Sequence, residues 1–310
     1  MKTVAWNGVA ARWLRGCIVI LALAAAAGAA LAQANGSNDA AEALRARHAA
    51  LKDRLTANAF QRPLVLESTQ DAGDLKGDIY AVVEHPYATV RTALSRAANW
   101  CDLLILHLNI KSCRAGEAAD RAKPARVVVN LGKKYDQPLE QTYEVDFDYR
   151  VAAQSADYLQ VRLNAENGPL GTRDYRIVLE AVPLEAARSF IHLAYSYGYG
   201  FAARVAMQGY LATVGSGKVG FSVAGKDADG KPQYVGGVRG VVERNTMRYY
   251  LAIDAALDTQ DLPAAERREK RLRDWFAATE RYPLQLHELE QADYLDMKRK
   301  EFKRQQGDKP

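Results

Sequence analysis

The nine residues YEVDFDYRV leave the chain little conformational freedom. Tyr143, Val145, Phe147, Tyr149 and Val151 alternate with Glu144, Asp146, Asp148 and Arg150. That strict period of two suits a strand with one buried and one solvated face. The scheme continues downstream. Leu159, Val161 and Leu163 alternate with Gln160, Arg162 and Asn164, and Tyr175, Ile177 and Leu179 resume it beyond the turn residues NGPLG. RSFIHLAYSYGYG adds one more strand. Successive strands joined by short turns predict an antiparallel meander.

Helical and β patterns flank this meander. Residues 37–60 place Leu44, His48, Leu51 and Leu55 on one helical face, ended by Pro63. PLVLES and GDIYAVVEHP read as strands around a loop at TQDAGDLKG. After Pro86, Val90, Ala93, Leu94 and Ala97 form a helical face that ends near Trp100, and ARVVVNLG reads as a strand. Residues 202–214 fit a helix or a strand. VGFSVAG and QYVGGVRG flank KDADGK as a hairpin. VVERNTMRYYLAIDAALDT is strongly helical, with Met247, Tyr250, Leu251 and Leu257 on one face. Two charged helices follow, at roughly 264–279 and 288–306.

Residues 1–32 read as a secretory signal peptide. Lys2, Arg12 and Arg15 precede the apolar run CIVILALAAAAGAALA, and Ala30-Leu31-Ala32 offers a cleavage site. An uncleaved anchor is the alternative, but the run of about 16 residues is short for a membrane span of about 20. Three of the 42 basic residues lie in this segment, which leaves 39 against 37 acidic ones. The near balance removes the compositional case for a nucleic-acid partner. Removal of the segment also leaves two of the three cysteines, Cys101 and Cys113. One pair in an exported chain reads as a single disulfide, with free thiols or a metal site as alternatives. The five histidines are scattered singly, so no metal is expected. Export implies a periplasmic location in a Gram-negative cell and a secreted one otherwise.

GDIYAVVEHPYATVRTALSRAANW resembles the opening of the START-like (SRPBCC) superfamily, in which an extended strand leads into a helix starting near a proline. ERNTMRYYLAI sits where that family puts its C-terminal gripping helix. The resemblance spans roughly residues 64–258 and implies an α+β helix-grip fold, a curved antiparallel sheet wrapped around a long C-terminal helix. It also implies an apolar cavity for a lipid or other hydrophobic molecule, without a cofactor. Extra N- and C-terminal helices depart from the minimal domain. The expected division is a signal peptide at 1–32, an N-terminal helix at 33–62, the binding domain at 63–260 and a charged helical extension at 261–310.

A sheet with a tyrosine-rich inner face and one covering helix can itself leave a ligand-sized gap. Candidate lining residues are Tyr143, Phe147 and Tyr149 from one strand, and Tyr195, Tyr197 and Tyr199 from another. Arg244, Met247, Tyr250 and Leu251 are the candidates from the gripping helix. Core packing accounts equally for the apolar ones, and solvated ion pairs for Glu243, Arg244 and Arg248. His107 and His192 are candidate proton-transfer groups for the rival reading, a cavity enzyme of the cyclase or dehydratase type. A third reading is a non-catalytic envelope interaction module. RREKRLR and KRKEFKR read as solvated mixed-charge faces, with contact to anionic lipid head groups as the sharper alternative.

Overall fold

The computed structural model describes residues 36–117, 123–185, 187–212 and 217–307, and the expected signal segment lies outside them. Eight strands form one antiparallel sheet. They are β1 (Leu64–Gln70), β2 (Asp74–Val83), β3 (Ile110–Ala115), β4 (Ala125–Leu131), β5 (Tyr143–Gln154), β6 (Leu159–Asn167), β7 (Thr172–Pro183) and β8 (Ser189–Tyr199). Their spatial order is β1-β2-β8-β7-β6-β5-β4-β3. The β3-to-β8 run is therefore the predicted meander, and β8 closes on β2 with Leu193 opposite Ile79 and Tyr195 opposite Gly77.

The β1–β2 turn is tighter than TQDAGDLKG suggested. Leu75 is buried at the start of β2 and extends the inner row through Gly77, Ile79 and Ala81, so the turn shrinks to residues 71–73. On β5 the alternation holds where the sheet is covered. Val145, Phe147 and Tyr149 are buried, whereas Tyr143 and Val151 at the strand's two ends are exposed.

The 21-residue helix α6 (Gly237–Leu257) lies across the inner face, against β1, β2 and β8. A Cβ at Gly77 would collide with Thr246 Oγ1, so the absence of a side chain lets β2 and the helix meet. Between β2 and β3 the chain forms α3 (Tyr87–Leu94) and α4 (Ala97–Leu104). The single predicted helix breaks at Ser95–Arg96. Trp100 Nε1 and Tyr149 Oη both donate to the Leu94 carbonyl that the break exposes, at 2.8 and 3.1 Å. The undecided segment is a helix, α5 (Phe201–Ala212), and β9 (Val223–Lys226) pairs with β10 (Pro232–Tyr234) as the expected hairpin.

The terminal helices cover opposite sides of this core. A helix over 36–50, α1, and its short continuation α2 (Lys52–Thr56) bury Ala41, Leu44, Leu51 and Leu55 against Phe190 and Val65 on the outer sheet face. His48 is half-buried there, 4.8 Å from the Phe190 ring. At the other end are α7 (Ala264–Glu280), α8 (Pro283–Leu286) and α9 (Gln291–Gly307). The mixed-charge sequence predicted solvated helices, but Leu272, Trp275, Tyr294, Met297 and Phe302 join the main core. Trp275 Nε1 donates to the Arg248 carbonyl of α6, and the Trp275 and Tyr294 rings stack at 5.1 Å.

Candidate functional site

The disulfide lies at the start of the site. Cys101 on α4 is joined to Cys113 on β3. The bracketed run is thus a turn from helix to sheet edge, and four of its residues, Leu104, His107, Asn109 and Ile110, face a cavity of about 490 Å³. That volume lies within the usual range for small-molecule sites, roughly 300–1,000 Å³. The opposite walls come from the sheet, through Val129, Phe147, Tyr175, Ile177 and Tyr195, and from α6, through Asn245 and Tyr249. A neighbouring hollow shares Asn109, Leu170, Tyr175, Tyr195 and Asn245 and adds Tyr197, Met207 and Val241.

The helix meets the cavity on one stripe. Val241, Asn245 and Tyr249 recur at four-residue steps and retain accessible surface while their neighbours are buried, because the surface they keep is cavity wall. Tyr249 also contacts the His107 ring at 5.1 Å and the Tyr195 ring edge-on at 5.2 Å. Tyr175 and Tyr197 stack at 5.2 Å, and Tyr175 Oη donates to Thr172 Oγ1. Burial pushes the Tyr195, Tyr197 and Tyr249 phenols upward, so all stay protonated and neutral.

At the mouth stand Tyr143 and Leu170, the latter 55% exposed. Leu170 has φ +57°, a left-handed conformation unfavourable for a side chain of its size, in the Pro169–Gly171 turn that brings it over the opening.

The sequence-predicted residues therefore divide. Tyr143, Phe147 and Tyr195 line the cavity and Tyr197 lines the adjoining hollow. Tyr149 and Tyr199 are buried apart from both. Tyr149 caps α3, and Tyr199 packs beneath the Arg204 guanidinium. Met247, Tyr250 and Leu251 lie off the cavity stripe of α6, and Tyr250 instead sits under Arg62, which pairs with Asp254 at 2.6 Å. The expected polar grip also differs. Arg244 donates to the Val219 carbonyl, Glu243 accepts from the Phe221 and Ser222 amides and from Ser68, and Arg248 pairs with Glu288. All three are buried structural anchors, and neither solvated nor cavity-facing.

Two functional features were not foreseen. The first is the α6 stripe of Val241, Asn245 and Tyr249. The second supports the wall that carries His107. Lys298 Nζ on α9 donates to the His107 and Ile110 carbonyls at 2.7 and 2.9 Å and to Glu301 at 2.7 Å. Lys111 Nζ meets the other Glu301 oxygen at 2.9 Å and the Leu108 carbonyl. All three side chains are fully buried. Burial, only partly offset by Glu301, lowers Lys298 to about 8.

His192 lies on the outer face of β8. Its ring nitrogens contact Glu180 at 2.7 Å and Asp78 at 2.8 Å, and the ring stacks on Tyr80 at 4.4 Å. Burial works against its charge, but the two carboxylates outweigh it and raise its pKa.

Together, sheet, gripping helix and hollow define the class. This is an α+β protein with a helix-grip arrangement, an antiparallel sheet packed around a long helix and extended by helices at both ends. No protein-family model and no curated protein matches the sequence. Among solved structures the chain is similar to norcoclaurine synthase from Thalictrum flavum, at 13% identity over 49% of this chain and 80% of that one, with a TM-score of 0.32. It is also similar to human StAR-related lipid transfer protein 5, at 8% identity over 72% and 96% of the two chains, with a TM-score of 0.34. A protein from Arthrobacter aurescens shares 13% identity over 64% and 92%, with a TM-score of 0.31.

Proposed function

We propose that the protein is an exported carrier that sequesters a lipid or other hydrophobic molecule in its internal cavity and passes it across the envelope. The observation that carries this reading is the hollow between α6 and the sheet, walled by Leu104, Ile110, Val129, Phe147, Ile177 and four tyrosines. Each Å² of apolar ligand surface removed from water there gains roughly 25 cal/mol. The Cys101–Cys113 disulfide supports export, since such bonds persist in oxidising compartments. Among the described residues no helix is long and apolar enough to cross a membrane. Peripheral contact during loading would fall at the mouth, where Tyr143 and Leu170 are exposed.

Native mass spectrometry with lipid extraction, on protein purified from its own envelope, tests the proposal. A stoichiometric co-purifying lipid is the expected result. Reproducibly empty protein that also refuses added hydrophobic probes overturns it. One observation favours a cavity enzyme as the second reading, namely His107 in the cavity wall. Turnover of a polyketide-like compound, lost in His107→Ala, would select that reading.

A further inference from the structure

The RREKRLR segment lies in the first half of α7 and gathers three arginines on one side of that helix. Arg271 follows Arg268 by three residues and Arg267 by four, spacings that share a helix face. With Asp102 of α4, Phe302 of α9 and Ala264, the first residue of α7, they line a pocket of about 120 Å³. This pocket shares no lining residue with the hollow. Sites for whole small molecules measure roughly 300–1,000 Å³, so this one fits a chemical group and not a whole ligand.

Two of the guanidiniums are anchored by the end of α6 and the turn after it. Arg267 Nη2 donates to the Gln260 and Leu262 carbonyls at 3.1 and 2.8 Å. Arg271 is 6% exposed; its Nε donates to Thr259 Oγ1 at 2.7 Å and its Nη2 to the Ala256 carbonyl at 3.4 Å. Arg268 lies over the Phe302 ring at 5.0 Å and donates to the Gln306 amide oxygen. Side chains already held in place lose little freedom when a ligand binds. All these partners are neutral, so they position the cations without cancelling their charge.

Asp102 supplies the one carboxylate of the pocket among the described residues. Its side chain is 55% exposed, and its oxygen stands 3.6 Å from Arg271 Nη1, too far for a hydrogen bond. Arg267 and Arg268 have no ion pair among the described residues. Burial lowers the Arg271 pKa, Asp102 only partly offsets this, and Arg267 adds to the lowering. Three positive charges against one negative leave a surplus of two in the pocket wall. A phosphate monoester carries about −1.5 to −2 at pH 7 and offers three terminal oxygens to planar N–H forks. A carboxylate brings one charge and two oxygens.

We infer that this pocket between α4, α7 and α9 binds a phosphate group, with Arg267, Arg268 and Arg271 as its cationic wall and Asp102 as the group that restrains affinity. Inorganic phosphate and the phosphate of an anionic lipid head group share this chemistry. In the second case the site docks this corner of the molecule on an anionic bilayer. The site needs no occupant in the hollow and stands independently of the carrier reading.

Full-chain protein in phosphate-free buffer of low ionic strength is titrated calorimetrically with inorganic phosphate and with acetate. Phosphate is expected to bind at a single site, and acetate more weakly. Arg268→Gln should weaken phosphate about tenfold, and Asp102→Asn should tighten it about threefold. The second effect is a gain, which a variant that fails to fold cannot mimic. Arg150→Gln, exposed on β5, controls for overall charge and should leave the affinity unchanged. Cosedimentation with vesicles of phosphatidylcholine, alone or with phosphatidate, separates the two sources. Binding of inorganic phosphate without capture by phosphatidate vesicles assigns the free anion. Capture by those vesicles alone, with the same response to the variants, assigns the head group. Binding of either probe that ignores Arg268→Gln and Asp102→Asn, equal affinity for acetate, or failure of both probes overturns the inference.

Discussion

His107 and His192 sit on opposite sides of one sheet, and their surroundings give them opposite chemistry. On the inner side, burial and neighbouring cations hold His107 neutral, with Nδ1 accepting a backbone amide and the ring set in the wall of the hollow. On the outer side, Asp78 and Glu180 clamp both nitrogens of His192 and favour its cation. The outer ring is completed by protein, stacked on Tyr80, which lies beneath Arg47 of α1. The inner ring packs against Tyr249 and borders the hollow. The contrast separates a ring that borders the hollow from one locked within the outer face, although a perturbed pKa alone would nominate both.

The comparison can be broken most forcefully from behind the inner ring. Glu301→Gln leaves Lys111 and Lys298 buried without their counter-charge and should cost about 3–5 kcal/mol in urea unfolding, with loss of probe binding as the wall loosens. An unfolding free energy within about 1 kcal/mol of wild type would mean the triad does not hold that wall. Replacing Cys101 and Cys113 together by serine should cost roughly 3 kcal/mol, again with weakened binding, because the bridge spans the turn that carries His107.

The outer side should behave differently. His192→Gln is expected to cost about 2 kcal/mol through its two charged hydrogen bonds, with ligand affinity unchanged. Its pH profile sharpens the point. The folded pKa of His192 is raised, so its contribution is complete below about 6.5 and is lost as pH rises through the folded value. Asp78 and Glu180 are lowered, with burial opposing the change and the hydrogen bonds to His192 prevailing. Their contribution is complete above the usual carboxylate range and is lost as pH falls through the folded values. Stability should therefore decline as pH rises above about 6.5 in wild type and less steeply in His192→Gln. Identical slopes would show that the clamp does not charge the ring. The smallest effect is expected from Arg47→Ala, which removes a guanidinium 4.7 Å above Tyr80 and its ion pair with Glu67. A cost of about 1 kcal/mol, with no change in binding, is the prediction.

Much of this architecture was legible in the sequence because each β strand's two faces meet different media. Glu144, Asp146 and Asp148 had to be outside, so Val145 and Phe147 had to be inside, and the meander followed. The same logic failed on α6 for a physical reason. Sheet and C-terminal helices cover that helix on different sides, and its charged residues are neutralised by partners far along the chain, as with Arg248 and Glu288. An apolar stripe no longer marks the inner face, so Met247, Tyr250 and Leu251 were read in place of Val241, Asn245 and Tyr249. Lys111 and Glu301, 190 residues apart, were equally invisible as a pair. Near-even charge along 264–307 looked like solvation, although the core needed Trp275 and Tyr294 from that segment. The disulfide was readable from arithmetic. The neutral state of His107 was not, since it depends on burial that only the fold supplies.

The triad behind His107 also has a history within each folding event. Lys111 is made 190 residues before its counter-charge at position 301, so a nascent chain keeps this lysine hydrated until α9 docks. Sheet closure is similarly delayed, because β2 waits more than a hundred residues for β8, and such long-range pairing is slow. Closure of the hollow consequently waits on segments far apart in the chain. A chain cut short before Glu301 should retain a hydrated gap where the longer chain has a wall.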